Sequence, residues 1–113
     1  MTKSEAPAAP PVLTGKQRSW LRARANPLSP SVRTGKAGIT PAVVAEVDQA
    51  LLLHELIKVR LEKPEDKKGA AIDLAERTGA VLCGLVGHTV ILYRPNPEKA
   101  ERGEPQIVPP APE

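Results

Sequence analysis

The chain has 113 residues, of which 16 are Lys or Arg and 13 are Asp or Glu, for a formal charge of +3, with one cysteine, one tryptophan and one tyrosine. A chain of this length builds one domain with a modest core, and it holds no run of 18 apolar residues that could cross a membrane as a helix. One thiol closes no disulfide framework and suits the reducing cytoplasm, and the first residues lack the apolar stretch of a secretory signal.

Thirteen prolines gather toward the two ends. Residues 1–11 and 96–113 are proline-rich and without apolar periodicity, so both read as solvated, disordered tails around a folded unit at residues 12–95. Charge is uneven inside that unit. Residues 12–38 carry six basic side chains (Lys16, Arg18, Arg22, Arg24, Arg33 and Lys36) and no acid, whereas from Leu61 onward seven basic residues stand against nine acidic ones. A basic first third is the footprint expected where a phosphate backbone docks; a solvated basic face is the plainer alternative.

Thr14 followed three residues later by Gln17 has the form of a capping box and predicts a helix over Gly15–Ala25. Leu21, Ala25 and Leu28 fall at i, i+4 and i+7 and are expected to face the core. Asn26-Pro27 stops the helix, because the residue before proline avoids the αR region. Trp20 is expected at the edge of the core rather than stacked on a base.

A short β-prone segment, residues 31–34, then runs into Gly35-Lys36-Ala37-Gly38. Thr40 and Pro41 read as the N-cap and first position of a second helix over residues 41–53, with Val43, Val47, Ala50 and Leu51 inward and His54 at its C-terminal end. Glycine lets a backbone approach a ligand closely, and a helix start presents unpaired N–H groups and a positive dipole end. The spacing matches neither G-x-x-x-x-G-K-[ST] nor G-x-G-x-x-G, the two nucleotide-binding loops. A G-x-x-G turn with a basic insert suits a nucleic-acid backbone, as in KH-type clamps, and an ordinary glycine turn stays open beside that reading.

Residues 56–61 alternate strictly, with Ile57, Val59 and Leu61 inward and Lys58 and Arg60 outward. After a charged loop, a third helix is expected over residues 67–77, with Ala71, Leu74, Ala75 and Thr78 inward, an Asp73–Arg77 pair outside and Gly79 as terminator. Residues 80–86 and 89–94 are β-rich around Gly87-His88, a spacing that suggests a type II′ hairpin. The first of these strands is nearly all apolar and is expected to be central and covered on both faces. Cys83 within it reads as a buried small hydrophobe. The order α-β-α-β-α-β-β is that of a compact α/β domain with a four-stranded mixed sheet and three helices. The sequence offers no paired carboxylates, no Cys–His pair and no metal-ligand spacing, so no catalytic residue, metal or cofactor is assigned and the chain reads as a non-enzyme.

Five stretches resemble the CRM domain: residues 13–18 (Leu-Thr-Gly-Lys-Gln-Arg), 35–40 (Gly-Lys-Ala-Gly-Ile-Thr), 54–59 (His-Glu-Leu-Ile-Lys-Val), 78–80 (Thr-Gly-Ala) and 90–95 (Val-Ile-Leu-Tyr-Arg-Pro). More narrowly they are similar to the small, single-domain bacterial YhbY-like proteins, over about residues 12–95. The resemblance implies an α/β fold similar to the C-terminal domain of translation initiation factor three. It also implies binding of RNA, in particular ribosomal RNA in large-subunit precursors, through the loop Gly35, Lys36, Ala37 and Gly38 and a basic surface at Lys16, Arg18, Arg22 and Arg33. The chain departs from the family pattern at Thr34, where an apolar residue usually precedes the loop. On this reading the chain is a cytoplasmic monomer that clamps RNA. The competing reading is a protein-interaction adaptor in ribosome biogenesis that recruits partners through its tails and an edge strand.

Overall fold

A computed structural model describes residues 10–111. Of the N-terminal tail expected at residues 1–11, the first nine lie outside the described residues. The elements run α1 (Gly15–Ala25), β1 (Val32–Arg33), α2 (Pro41–His54), β2 (Leu56–Arg60), α3 (Lys67–Thr78), β3 (Val81–Val86), β4 (Thr89–Tyr93) and α4 (Pro97–Glu101). The expected α/β order is present, with one short helix added at the end. No helix among the described residues is long and apolar enough to cross a membrane.

Local chemistry starts these helices as read, but the end of α1 differs in its cause: Asn26 keeps αR backbone (φ −52, ψ −44) before Pro27, and the helix stops because Pro27 has no N–H to continue the ladder. Thr14 and Gln17 form the full capping box, Thr40 Oγ1 accepts the Val43 N–H at 3.1 Å with Pro41 at the first helical position, and Gly79 ends α3 at φ +68. Gly87 takes φ +59 at the hairpin while His88 stays at negative φ, as a type II′ turn requires.

The sheet order is β1-β2-β4-β3, with β1 parallel to β2 and the other pairs antiparallel. Helices α2 and α3 cover one face: Val43, Val47, Leu51, Ala71 and Leu74 pack on Ile57, Val59, Val90 and Leu92. Helix α1 covers the other, where Leu21 and Ala25 meet Leu56, Cys83, Ile91 and Tyr93. Burying these apolar surfaces on both faces drives assembly at about 25 cal/mol per Å².

Two expectations about this core are corrected. Strand β3 is an edge, not central; its apolar run reflects the cover that α1 and α3 give its two faces. Leu28 does not reach the core and is 41 % exposed, because the chain leaves α1 at Asn26 before the stripe reaches it.

Residues 96–111 also depart from expectation. They do not run free of the domain as proline content suggests. Asn96 is buried and caps α4, Ile107 joins the core cluster under α1, and the Ile107 carbonyl accepts the Tyr93 hydroxyl at 2.7 Å. The reason lies at Glu55, which is fully buried with φ +66. Its carboxylate accepts N–H groups from Asn96 at 2.6 Å and Ile107 at 2.7 Å. A buried carboxylate requires such donors, and the C-terminal segment supplies them.

Candidate nucleic-acid interface

The loop after β1 is held firmly at its base and open at its tip. Thr34, the departure from the family pattern, is buried rather than loose: its N–H donates to the Arg60 carbonyl at 2.9 Å and its Oγ1 accepts the Glu62 N–H at 3.0 Å. Hydrogen bonds thus replace the apolar anchor. Beyond it, the Gly38 N–H donates to the Gly35 carbonyl at 3.0 Å, closing a turn with Lys36 and Ala37 at its centre. Gly38 has φ +76, which accounts for that glycine. Gly35 has no such conformation, and a Cβ at either glycine would meet nothing within 4 Å. Internal packing therefore does not demand glycine at position 35. Lys36 and Ala37 are exposed, and neither side chain nor N–H of either engages another described residue.

Strand register decides which cations join this loop. Arg33 and Arg60 are in-register partners on β1 and β2, so their side chains leave the same sheet face. Both are exposed and neither pairs with a described acid. Like charges directly opposite are destabilising, so fold stability does not explain the pair. The same row continues through Thr89 to Val86, which is 64 % exposed. Leu61 donates its N–H to the His88 carbonyl at 2.8 Å, placing the hairpin turn at the loop's end of the sheet.

The cations of α1 divide. Arg22 reaches over β3, where Nη1 donates to the Cys83 carbonyl at 2.7 Å. Its stem lies on Gly84, where a Cβ would come within 2.5 Å of the Arg22 Cδ. Register breaks at this point of β3, between Leu82 and Gly84. Arg24 stacks over the Trp20 ring at 5.5 Å, which places that tryptophan at the core edge as expected. Lys16 and Arg18 lie at the opposite end of the helix, beside the C-terminal segment. Arg18 Nη1 donates to the Leu13 carbonyl at 2.7 Å, and the neighbouring Gln17 Nε2 donates to the Pro110 carbonyl at 2.8 Å. Of the cations singled out in the sequence, the structure therefore gathers Arg33 with Lys36, brings Arg22 to the same sheet face with Arg18 one helical turn from it, and leaves Lys16 at the far end of α1. Arg60 was visible only as an outward residue on a strand; its pairing with Arg33 has no signature within either segment.

Titration sets Cys83 aside as a reactive group. Burial pushes its thiol up to about 11, with Arg18 and Arg22 opposing part of the rise, so it remains a neutral thiol at physiological pH. Among the described residues, no three His, Cys, Asp or Glu side chains are placed to hold a metal ion.

The CRS1 / YhbY (CRM) domain family model matches residues 13–94. The chain belongs to that family. Among its CRM relatives, Probable RNA-binding protein YqeI of Bacillus subtilis is 34 % identical over 92 residues, covering 80 % of this chain and 96 % of the relative. A Haemophilus influenzae protein named RNA-binding protein is 38 % identical over 88 residues, 76 % of this chain and 89 % of its own length. The solution structure of the hypothetical protein SAV1595 from Staphylococcus aureus superposes with a TM-score of 0.67 at 36 % identity, covering 74 % of this chain and 88 % of that one. The CRM fold is thus shared at the level of sequence and of architecture.

Proposed function

We propose that this CRM protein is a non-enzymatic, monomeric RNA-binding module of the cytoplasm that clamps the backbone of structured ribosomal RNA during large-subunit assembly. Gly35 carries the reading: a glycine that neither backbone conformation nor internal packing demands is explained by a ligand backbone that must come close. The unengaged N–H groups of Lys36 and Ala37, the Lys36 ammonium and the Arg33–Arg60 pair then hold successive phosphates. RNA-binding relatives of matching length support the partner class. Arg22 contributes charge from a fixed position, Arg18 adds charge one helical turn away, and Lys16 extends the field from the far end of α1. The adaptor reading is weakened, because residues 96–111 are bonded to the body of the domain.

Anisotropy titration of a labelled ribosomal RNA fragment across a salt series tests the reading. Four to six neutralised phosphates predict a log K against log salt slope of roughly −3 to −4 on single strands. A flat response overturns the electrostatic clamp, and a crosslinking map on cellular RNA locates the site.

A further inference from the structure

On the α1 face of the sheet lies a hollow of about 520 Å³ between the C-terminal half of α1 and the hairpin end of β3 and β4. That volume is within the range of about 300–1,000 Å³ typical of small-ligand sites. Its lining is mixed. Ile91, Val86 and Ala23 are apolar, Ser19, Asn26 and Thr89 bring hydroxyl and amide groups, and Arg22 and Lys58 are the cations.

Four observations mark this hollow as more than a gap between elements. Thr89 is the in-register neighbour of Arg60, so the hollow opens directly beside the arginine pair. The Arg22 guanidinium is tethered to the Cys83 carbonyl, and the seat for its stem exists because residue 84 is glycine. A planar cation is thereby held in place at the wall. Val86 stays 64 % exposed at the margin, an apolar surface that the fold itself leaves uncovered. Lys58 Nζ donates to the Asn26 and Leu28 carbonyls at 2.9 and 3.0 Å, which fixes the end of α1 over the sheet.

We propose that the hollow receives one unpaired base of the bound RNA strand, whose phosphates lie on Arg33 and Arg60. An extruded base has an apolar face and a polar edge. It would rest on Val86 and Ile91, stack on the Arg22 guanidinium, and offer its edge to Ser19, Asn26 and Thr89. No aromatic residue is needed, since a guanidinium plane supplies the stacking surface. The inference rests on the RNA-binding reading above and adds a base-reading site to a backbone clamp.

The test compares a short oligouridylate with an abasic ribose-phosphate oligomer of the same length, both titrated against the full chain. The parent should prefer the base-bearing oligomer by roughly tenfold, the worth of about one stacked base. Ala23→Leu, and independently Ser19→Leu, fill the hollow without changing charge. Each should erase that preference while leaving abasic affinity and thermal midpoint like the parent's. Lys36→Ala should weaken both oligomers together. Equal binding of the two oligomers by the parent, or a preference that survives both filling variants, overturns the base site while the clamp stands. Failure to bind either oligomer would instead remove the RNA reading itself. Free uridine monophosphate should compete weakly, lacking the second phosphate contact; a mononucleotide that binds as tightly as the oligomer would make this a free-nucleotide site and overturn the proposal.

Discussion

The Glu55 carboxylate accepts the Ile107 N–H at 2.7 Å across 52 positions of chain, from a side chain with no solvent exposure. The same group accepts the Asn96 N–H at 2.6 Å, and Gln106 Nε2 stands 3.4 Å away. This acid, together with the Tyr93 hydroxyl on the Ile107 carbonyl and Gln17 Nε2 on the Pro110 carbonyl, makes the C-terminal segment part of the folded unit. Its backbone takes φ +66, a conformation costing about 1 kcal/mol or more for a residue with a side chain. The donors gathered around the carboxylate offset that strain.

Removal of residues 96–113 should therefore destabilise the domain rather than trim an inert tail. Breaking a buried charge from its partners costs about 3 kcal/mol, so urea unfolding of the shortened chain should show a clear fall in midpoint. Glu55→Gln in the full chain should lose about 2 kcal/mol, since an amide turns a donor toward donors. Unchanged midpoints for both would show that the segment contributes nothing to the fold.

Lys36→Ala should leave stability within about 0.5 kcal/mol, as at other exposed sites. It should weaken RNA binding and reduce the salt slope by about one contact. Gly35→Asp is the sharper loop variant, because a Cβ there meets nothing within 4 Å and no positive φ is strained. Gly38→Asp, at φ +76, would mix backbone strain with charge. Glu46→Ala, on the exposed side of α2, should alter neither stability nor affinity. Denaturation and anisotropy measured side by side separate these outcomes.

Arg60→Ala should weaken RNA binding as strongly as Arg33→Ala while leaving stability unchanged or slightly raised, because relieving a like-charge cross-strand pair is worth a few tenths of a kcal/mol, about 0.2–1. Lys16→Ala, at the far end of α1, should have the smaller effect on affinity. The reverse ranking would move the RNA path from the sheet edge to the first turn of the helix.

Stability should also fall in alkali. Cys83 rises from 9.0 to about 11 in the fold, chiefly through burial, and Tyr93 from 10.0 to about 12, through burial and then Glu55. A raised pKa means that the unfolded chain releases its proton first, so stability is intact below about pH 9 and declines as pH climbs toward 12. Urea midpoints measured at intervals over that range should fall. Cys83→Ala should shallow the early part of the decline, between pH 9 and 11, and a decline of unchanged slope would clear the thiol of any part in it.

The starts of α1, α2 and α3, the glycine turn, the hairpin and the inward faces of α2, α3 and β2 were legible in the sequence. Each depends on residues within a few positions of one another: Thr14 with Gln17, Thr40 with Pro41, Gly87 with His88. The family motifs around the loop were legible for the same reason. Tertiary structure alone decided the rest. An apolar run cannot distinguish a central strand from an edge strand covered on both faces, so the place of β3 had to come from the strand pairing. Arg33 and Arg60 meet through a parallel register separated by a whole helix, and nothing local marks either as the other's neighbour. Glu55 looks like an ordinary charged residue after a helix. Only the closed fold withdraws its carboxylate from water, and the free energy of leaving it unpaired draws the proline-rich segment onto the domain.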